Sequence, residues 1–167
     1  MPEWEVELLD VEGYPPETGA TYYENALAKA RFGREHTPRE AWVLGEDAGI
    51  EAAALGGRPG VHSSRWAEDG VAALLAALDG VADRRVRYVS ELVAIAPDGR
   101  EVRGTGTLEG VAATEPRGSE GFGYDPIFIP LGESRTVAEL GNSWKHEHSH
   151  RARAAQALMS TLVTADT

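Results

Sequence analysis

Glu46 and Asp47 stand side by side at the end of a short apolar run, Trp42-Val43-Leu44, and lead into Ala48-Gly49. Strand ends beside flexible turns present side chains to clefts. Adjacent carboxylates there suit a hard cation such as Mg²⁺, which binds through one or two carboxylates plus phosphate oxygens and water. The same pair also reads as a solvated acidic turn. Glu17 lies in the loop ahead of the first helix, and Lys29 falls four residues after Asn25, on the same helical face. Glu24 has a structural explanation, as the partner of Thr21 in a capping box.

The segment Lys145-His146-Glu147-His148-Ser149-His150-Arg151 holds three of the five histidines of the chain. Ser149 is a natural N-cap, which puts His150 and Arg151 in a first helical turn, where the helix dipole disfavours cations by about 0.3–1 kcal/mol each. That placement, with the free amides of a helix start, suits an anionic or electron-rich ligand; a solvated basic turn is the plainer reading. An extended His146, His148, His150 triplet would instead suit zinc or nickel. Gly121-Phe122-Gly123-Tyr124-Asp125-Pro126 sets two aromatics and a carboxylate on a glycine-shaped loop. Such rings stack on bases, and a fixed Asp accepts from a ring N–H, although simple packing also accounts for a loop of this kind. The sequence has no P-loop, dinucleotide fingerprint or serine-hydrolase elbow.

Several elements must position these groups. Alternation over residues 5–11, with Trp4, Val6 and Leu8 on one side, predicts a first strand, which Gly13-Tyr14-Pro15-Pro16 breaks. Thr21-x-x-Glu24 caps a helix carrying Tyr23, Ala26, Leu27 and Ala30 at helical spacing, with Gly33 as its stop. Residues 42–44 read as a short buried strand, and Val71, Leu74, Leu75 and Leu78 as one helix face. Residues 85–95 form a long strand. Pro97-Asp98-Gly99 turns the chain back, so that 101–113 pairs with it as a hairpin. A last helix starts near Ser149 and buries Ala155, Leu158, Met159 and Leu162. Helices around a dominant hairpin say α/β or α+β.

The 167 residues suffice for one domain with a real core. The absence of cysteine excludes disulfides and thiolate metal sites. A net charge of −11 argues against binding polymeric nucleic acid, which needs many Lys and Arg on the phosphates. No apolar run is long enough to cross a bilayer and the first residues are not a signal sequence, so a cytoplasmic location is expected.

Taken in order, the stretches resemble one family, the RdgB-type and inosine triphosphate pyrophosphatases. The matching segments are Glu17-Thr18-Gly19-Ala20-Thr21 through Glu24-Asn25-Ala26 and Lys29-Ala30; Glu46-Asp47-Ala48-Gly49 through Leu55-Gly56-Gly57 and Pro59-Gly60-Val61; Gly118 through Gly121-Phe122-Gly123-Tyr124-Asp125-Pro126-Ile127-Phe128; and Thr136-Val137-Ala138-Glu139-Leu140, Lys145 and Ser149-His150-Arg151. The resemblance implies an α/β, two-lobed fold around a long twisted mixed β-sheet, with residues 1–167 as a single domain. It implies Mg²⁺ as cofactor, a homodimer, and hydrolysis of inosine, deoxyinosine and xanthosine triphosphates to monophosphate and pyrophosphate. By motif position Asp47 is the metal ligand and general base, Glu17 a second metal ligand, and Lys29 a phosphate contact. Phe122 stacks on the base beside Gly123, Tyr124 and Asp125, while Lys145, His150 and Arg151 read the purine ring.

Three departures stand out. The family's opening strand, Thr-x-Asn-x-x-Lys phosphate loop and helix are expected to be missing, which would leave a sheet edge exposed. Ala48 stands where bacterial relatives often have Ser, and Trp144 where an acidic residue is usual. A non-catalytic nucleotide-binding or oligomerisation module derived from the same fold is the competing expectation.

Overall fold

A computed structural model describes residues 5–165. The elements run α1 (Tyr22–Glu35), β1 (Val43–Ala52), α2 (Gly70–Ala77), β2 (Arg85–Ile95), β3 (Glu101–Ala112), β4 (Phe128–Pro130), α3 (Val137–Leu140), α4 (Asn142–His148) and α5 (His150–Ala165). The four strands form one sheet in the order β1-β2-β3-β4. Every pairing is antiparallel. The α/β class holds, but the sheet is antiparallel throughout the described residues rather than mixed. The cause lies in the connections: β2 and β3 are joined by a tight turn with Gly99 at φ 88°, and the turn closes with Gly99 N–H on Ala96 and Ala96 N–H on Arg100. A tight turn of this kind joins only antiparallel neighbours.

Side chains alternate across β1 and so divide the sheet into two faces. On one, α1 packs Ala26 and Ala30 against Val93 and Ile95. On the other, α5 packs Ala154, Leu158 and Leu162 against Leu92, Ala94 and Val102. Further along that second face a larger core joins Ile50, Tyr88 and Leu108 to Leu74 and Leu78 near α2 and to Phe128. Phe128, Leu74 and Leu78 are wholly buried, each worth roughly 1.5–3 kcal/mol in area removed from water. The helices approach closely because glycines allow it: a Cβ on Gly45 would strike the backbone of Ala26 and Ala30, and one on Gly106 the backbone of His150 and Ala154.

Four local expectations need correction. Residues 5–11 form no strand, and Val6 and Leu8 are exposed. The segment runs beside α1 instead: the Tyr14 ring lies 4.9 Å from Phe32 and its hydroxyl donates to the Leu9 carbonyl. Trp4 falls outside the described residues. β1 is ten residues long rather than three. Gly33 does not stop α1 but lies buried within it, against Val43. In the last helix Ala154 rather than Ala155 faces the sheet. Thr21 does cap α1, accepting from Glu24 N–H at 3.2 Å, while Glu24 reaches back one residue further, to Ala20 N–H. The full reciprocal capping box occurs at Thr136 and Glu139 of α3.

Candidate active site

β1 carries the site because three consecutive residues point alternately to its two faces. Asp47 turns towards α1 and is buried, and its Oδ2 accepts from Asn25 Nδ2 at 2.9 Å. Asn25 is itself buried, and its Oδ1 accepts from Gly19 N–H at 2.8 Å. The amide is therefore fixed at both ends and holds the carboxylate in one orientation. Lys29, one turn further along α1, donates to the Glu46 carbonyl at 3.0 Å. Its ammonium lies 2.5 Å from Glu17 Oε1 and 3.5 Å from Asp47 Oδ1. Arg65 completes the cradle, with Nη1 2.6 Å from Glu17 Oε2 and Nη2 donating to the Glu17 carbonyl.

Burial pushes the Asp47 carboxyl above the usual range, against the opposing effects of Asn25 and Lys29. Burial also works to raise Glu17, but Lys29 and Arg65 outweigh it and hold that carboxyl below its ordinary value. Two carboxylates in neighbouring environments are thus driven in opposite directions, the arrangement that divides acid–base labour in many enzymes. Glu17 and Asp47 share a single ammonium between them. Their hard oxygen donors fit a Mg²⁺ ion that draws its other ligands from phosphate and water. Among the described residues no group of three or more His, Cys, Asp and Glu gathers.

The residues flanking Asp47 point the other way. Glu46 Oε1 accepts from Arg151 Nε at 2.9 Å and from Ser90 Oγ at 3.1 Å. Ala48 lines a cleft of about 540 Å³ whose walls include Phe122, Gly123, Tyr124, Asp125, Lys145, His150 and Arg151. The cleft thus contains every residue expected around the base. Asp47, Glu17 and Lys29 form a separate cradle on the opposite face of β1. Glu46 and Ala48, one residue either side of Asp47, connect the two.

Inside the cleft, Asp125 is buried and accepts three hydrogen bonds: from Tyr88 Oη at 2.9 Å, Phe122 N–H at 2.9 Å and Lys145 Nζ at 2.6 Å. Phe122 is exposed, yet Lys145 Nζ lies 4.0 Å and the Arg151 guanidinium 5.0 Å from its ring centre. Tyr124 is pinned by its hydroxyl, which donates to the Ser63 carbonyl at 2.8 Å. Ser149 closes α4 and caps α5, accepting from Ala152 N–H at 3.2 Å. His150 is thereby turned inward, buried and stacked on Tyr88, with its Nδ1 left without a hydrogen-bond partner among the described residues. Burial, then Arg151 and Lys145, depress its pKa to about 3. His146 and His148 remain exposed on α4, so the alternating triplet does not converge as a metal site. Trp144 packs partly buried against the main core, which gives that departure a structural role.

Asn25, Arg65 and Tyr88 escape a reading by sequence. Asn25 has a weak signal as a polar residue on the apolar face of α1, one turn before Lys29. Arg65 and Tyr88 have none, being one arginine in a loop and one aromatic in a strand.

Residues 2–161 match the Ham1 family. The chain belongs to that family. It is 52% identical over 144 residues to a dITP/XTP pyrophosphatase of Symbiobacterium thermophilum, covering 83% of this chain and 72% of the relative. Among solved structures, the Ham1 protein of Staphylococcus aureus superposes with a TM-score of 0.81 at 33% identity, over 91% of this chain and 81% of that one. A nucleoside-triphosphatase / dITP/XTP pyrophosphatase from Mycobacterium abscessus gives a TM-score of 0.73 at 41% identity, over 96% and 81%. In this Ham1-family chain no helix among the described residues is long and apolar enough to cross a membrane.

Proposed function

We propose that this chain hydrolyses non-standard purine nucleoside triphosphates (ITP, dITP and XTP) to the monophosphate and pyrophosphate, cleansing the nucleotide pool. The observation that carries the reading is the alternation along β1: Asp47 sits in an acidic cradle, while Glu46 holds Arg151 and Ala48 walls the cleft. β1 is a sheet edge among the described residues. A nucleotide lying along that edge reaches both faces, its base in the cleft and its phosphates at the cradle.

In this mechanism Glu17 and Asp47 would hold Mg²⁺, which when bound would neutralise triphosphate charge and polarise phosphorus. Asp47 orients the attacking water and takes its proton; burial supports that role by raising its affinity for a proton. Water oxygen joins the α-phosphorus, the α–β anhydride bond breaks, and pyrophosphate departs. Lys29 faces the phosphates. Phe122 stacks on the base, Gly123 takes the left-handed turn of the loop at φ 59°, and Tyr124 and Asp125 line the pocket. Lys145 and Arg151 offer only donors, which suit a 6-oxo group and leave an adenine amino group facing unpaired donors. His150, neutral near pH 7, lines the same pocket. We further place the enzyme in the cytoplasm, as a homodimer of single two-lobed domains.

Phosphorus-31 NMR of ITP incubated with the chain and Mg²⁺ tests the reaction type. Paired growth of inosine monophosphate and pyrophosphate signals is expected. Orthophosphate with inosine diphosphate would place the cut at the wrong bond.

A further inference from the structure

Tyr88 touches both halves of the base pocket and belongs to neither motif that builds it. It lies in the first half of β2, buried. One face of its ring stacks on Phe128 at 4.3 Å and 9°, and another aromatic, His150, stacks at 4.5 Å and 19°. Its hydroxyl donates to Asp125 Oδ1, while Asp125 Oδ2 takes Phe122 N–H and Lys145 Nζ. One side chain therefore contacts the imidazole of one wall and the carboxylate that holds the cation of the other.

Each contact constrains something that little else does. Asp125 offers about four acceptor sites, and the phenol is its one hydrogen-bond partner on Oδ1 among the described residues. With the hydroxyl present the carboxylate cannot turn without leaving a buried group unpaired. Lys145 and the Phe122 backbone follow the carboxylate. His150 Nδ1 has no hydrogen bond among the described residues, so the flat Tyr88 ring beneath it restrains its plane.

We infer that Tyr88 is the positioning residue for base discrimination, holding Lys145 through Asp125 in register with His150 so that a 6-oxopurine is preferred to a 6-aminopurine. This rests on the base-pocket reading above. Burial and the neighbouring Asp125 hold the phenol well above its ordinary pKa, so it stays a donor at all working pH.

The test is calorimetric binding of inosine and adenosine monophosphates to the full chain, to Tyr88→Phe, and to both in a Lys145→Met background, with thermal midpoints recorded. Tyr88→Phe keeps the stack and removes the donor. It is expected to lower the inosine-over-adenosine preference by roughly fivefold to tenfold, the scale of one lost hydrogen bond, with much less effect in the Lys145→Met background. General loosening would weaken both ligands alike. An unchanged preference in Tyr88→Phe, or an equal loss with and without Lys145, overturns the role of Tyr88 and leaves the pocket standing. A parent chain with no preference for inosine monophosphate overturns the pocket and this inference together.

Discussion

Asp47 combines burial, which raises its affinity for a proton, with a fixed hydrogen bond from Asn25 that sets its orientation, and both suit the base proposed for it. Asp47→Asn keeps the size and loses the charge. It is expected to cut pyrophosphate release by at least about 10²-fold, the contribution of a placed general base. Asn25→Ala acts one step removed, by freeing Asp47 to rotate. A drop of roughly 10-fold or more in kcat with KM little changed is expected, as for other groups that orient a ligating side chain; a change confined to KM would contradict that role. His150 gives a pH prediction. Its folded pKa of about 3 lies below the unfolded value of about 6.5. Between those values the unfolded chain binds a proton that the folded chain refuses. Its contribution to stability is therefore complete above pH 6.5 and is lost as pH falls towards 3, by up to about 1.4 kcal/mol per pH unit. Urea unfolding between pH 7 and 5 should show a shallower loss for His150→Asn than for the parent.

At the scale of elements, glycines decide how closely the helices lie on the sheet: Gly45 under α1, and Gly104 and Gly106 under α5. Gly45→Ala would press on the backbone of α1 and Gly106→Ala on that of α5. Each is expected to lower unfolding free energy by about 2 kcal/mol or more, since backbone yields less readily than a side-chain tip; unchanged denaturation midpoints would show that the helices stand further off. The β2–β3 hairpin was legible in sequence because Pro97-Asp98-Gly99 gives it local turn chemistry and β2 is rich in Val, Tyr and Ile. β1 was legible only at its apolar start. Gly45, Glu46, Asp47 and Gly49 are poor strand formers, and what extends them is pairing with β2 over all ten residues. Residues 5–11 mislead for the opposite reason: their alternation is a local pattern without a neighbouring strand to pair with among the described residues. The site residues were legible through ordered motifs, whereas their division between two faces of β1 depends on strand phase. That phase became visible only once β1 was seen to run on through Ala52.

At the scale of the whole molecule, β1 is the sheet edge among the described residues: residues 58–63 cover its second half, through Ala52 N–H on the Arg58 carbonyl and Ile50 N–H on Ser63 Oγ, while its first half stays open, with Leu44 exposed along it. An open edge invites a second copy or aggregation. Sedimentation at micromolar concentration is expected to give a dimer, and a well-behaved monomer would contradict the homodimer. The charge of −11 makes weak retention on polymeric nucleic acid the expected result at physiological salt. The central claim joins the cradle at Asp47 to the cleft at His150 and Arg151 in one substrate site. Steady-state pyrophosphate release with Mg²⁺ from ITP, XTP and ATP, by the parent and by Asp47→Asn, tests that union most directly. The account predicts kcat/KM for ITP and XTP far above that for ATP, with turnover in the variant reduced at least about 10²-fold. Equal rates on the three triphosphates, or full activity without the Asp47 carboxylate, would contradict it.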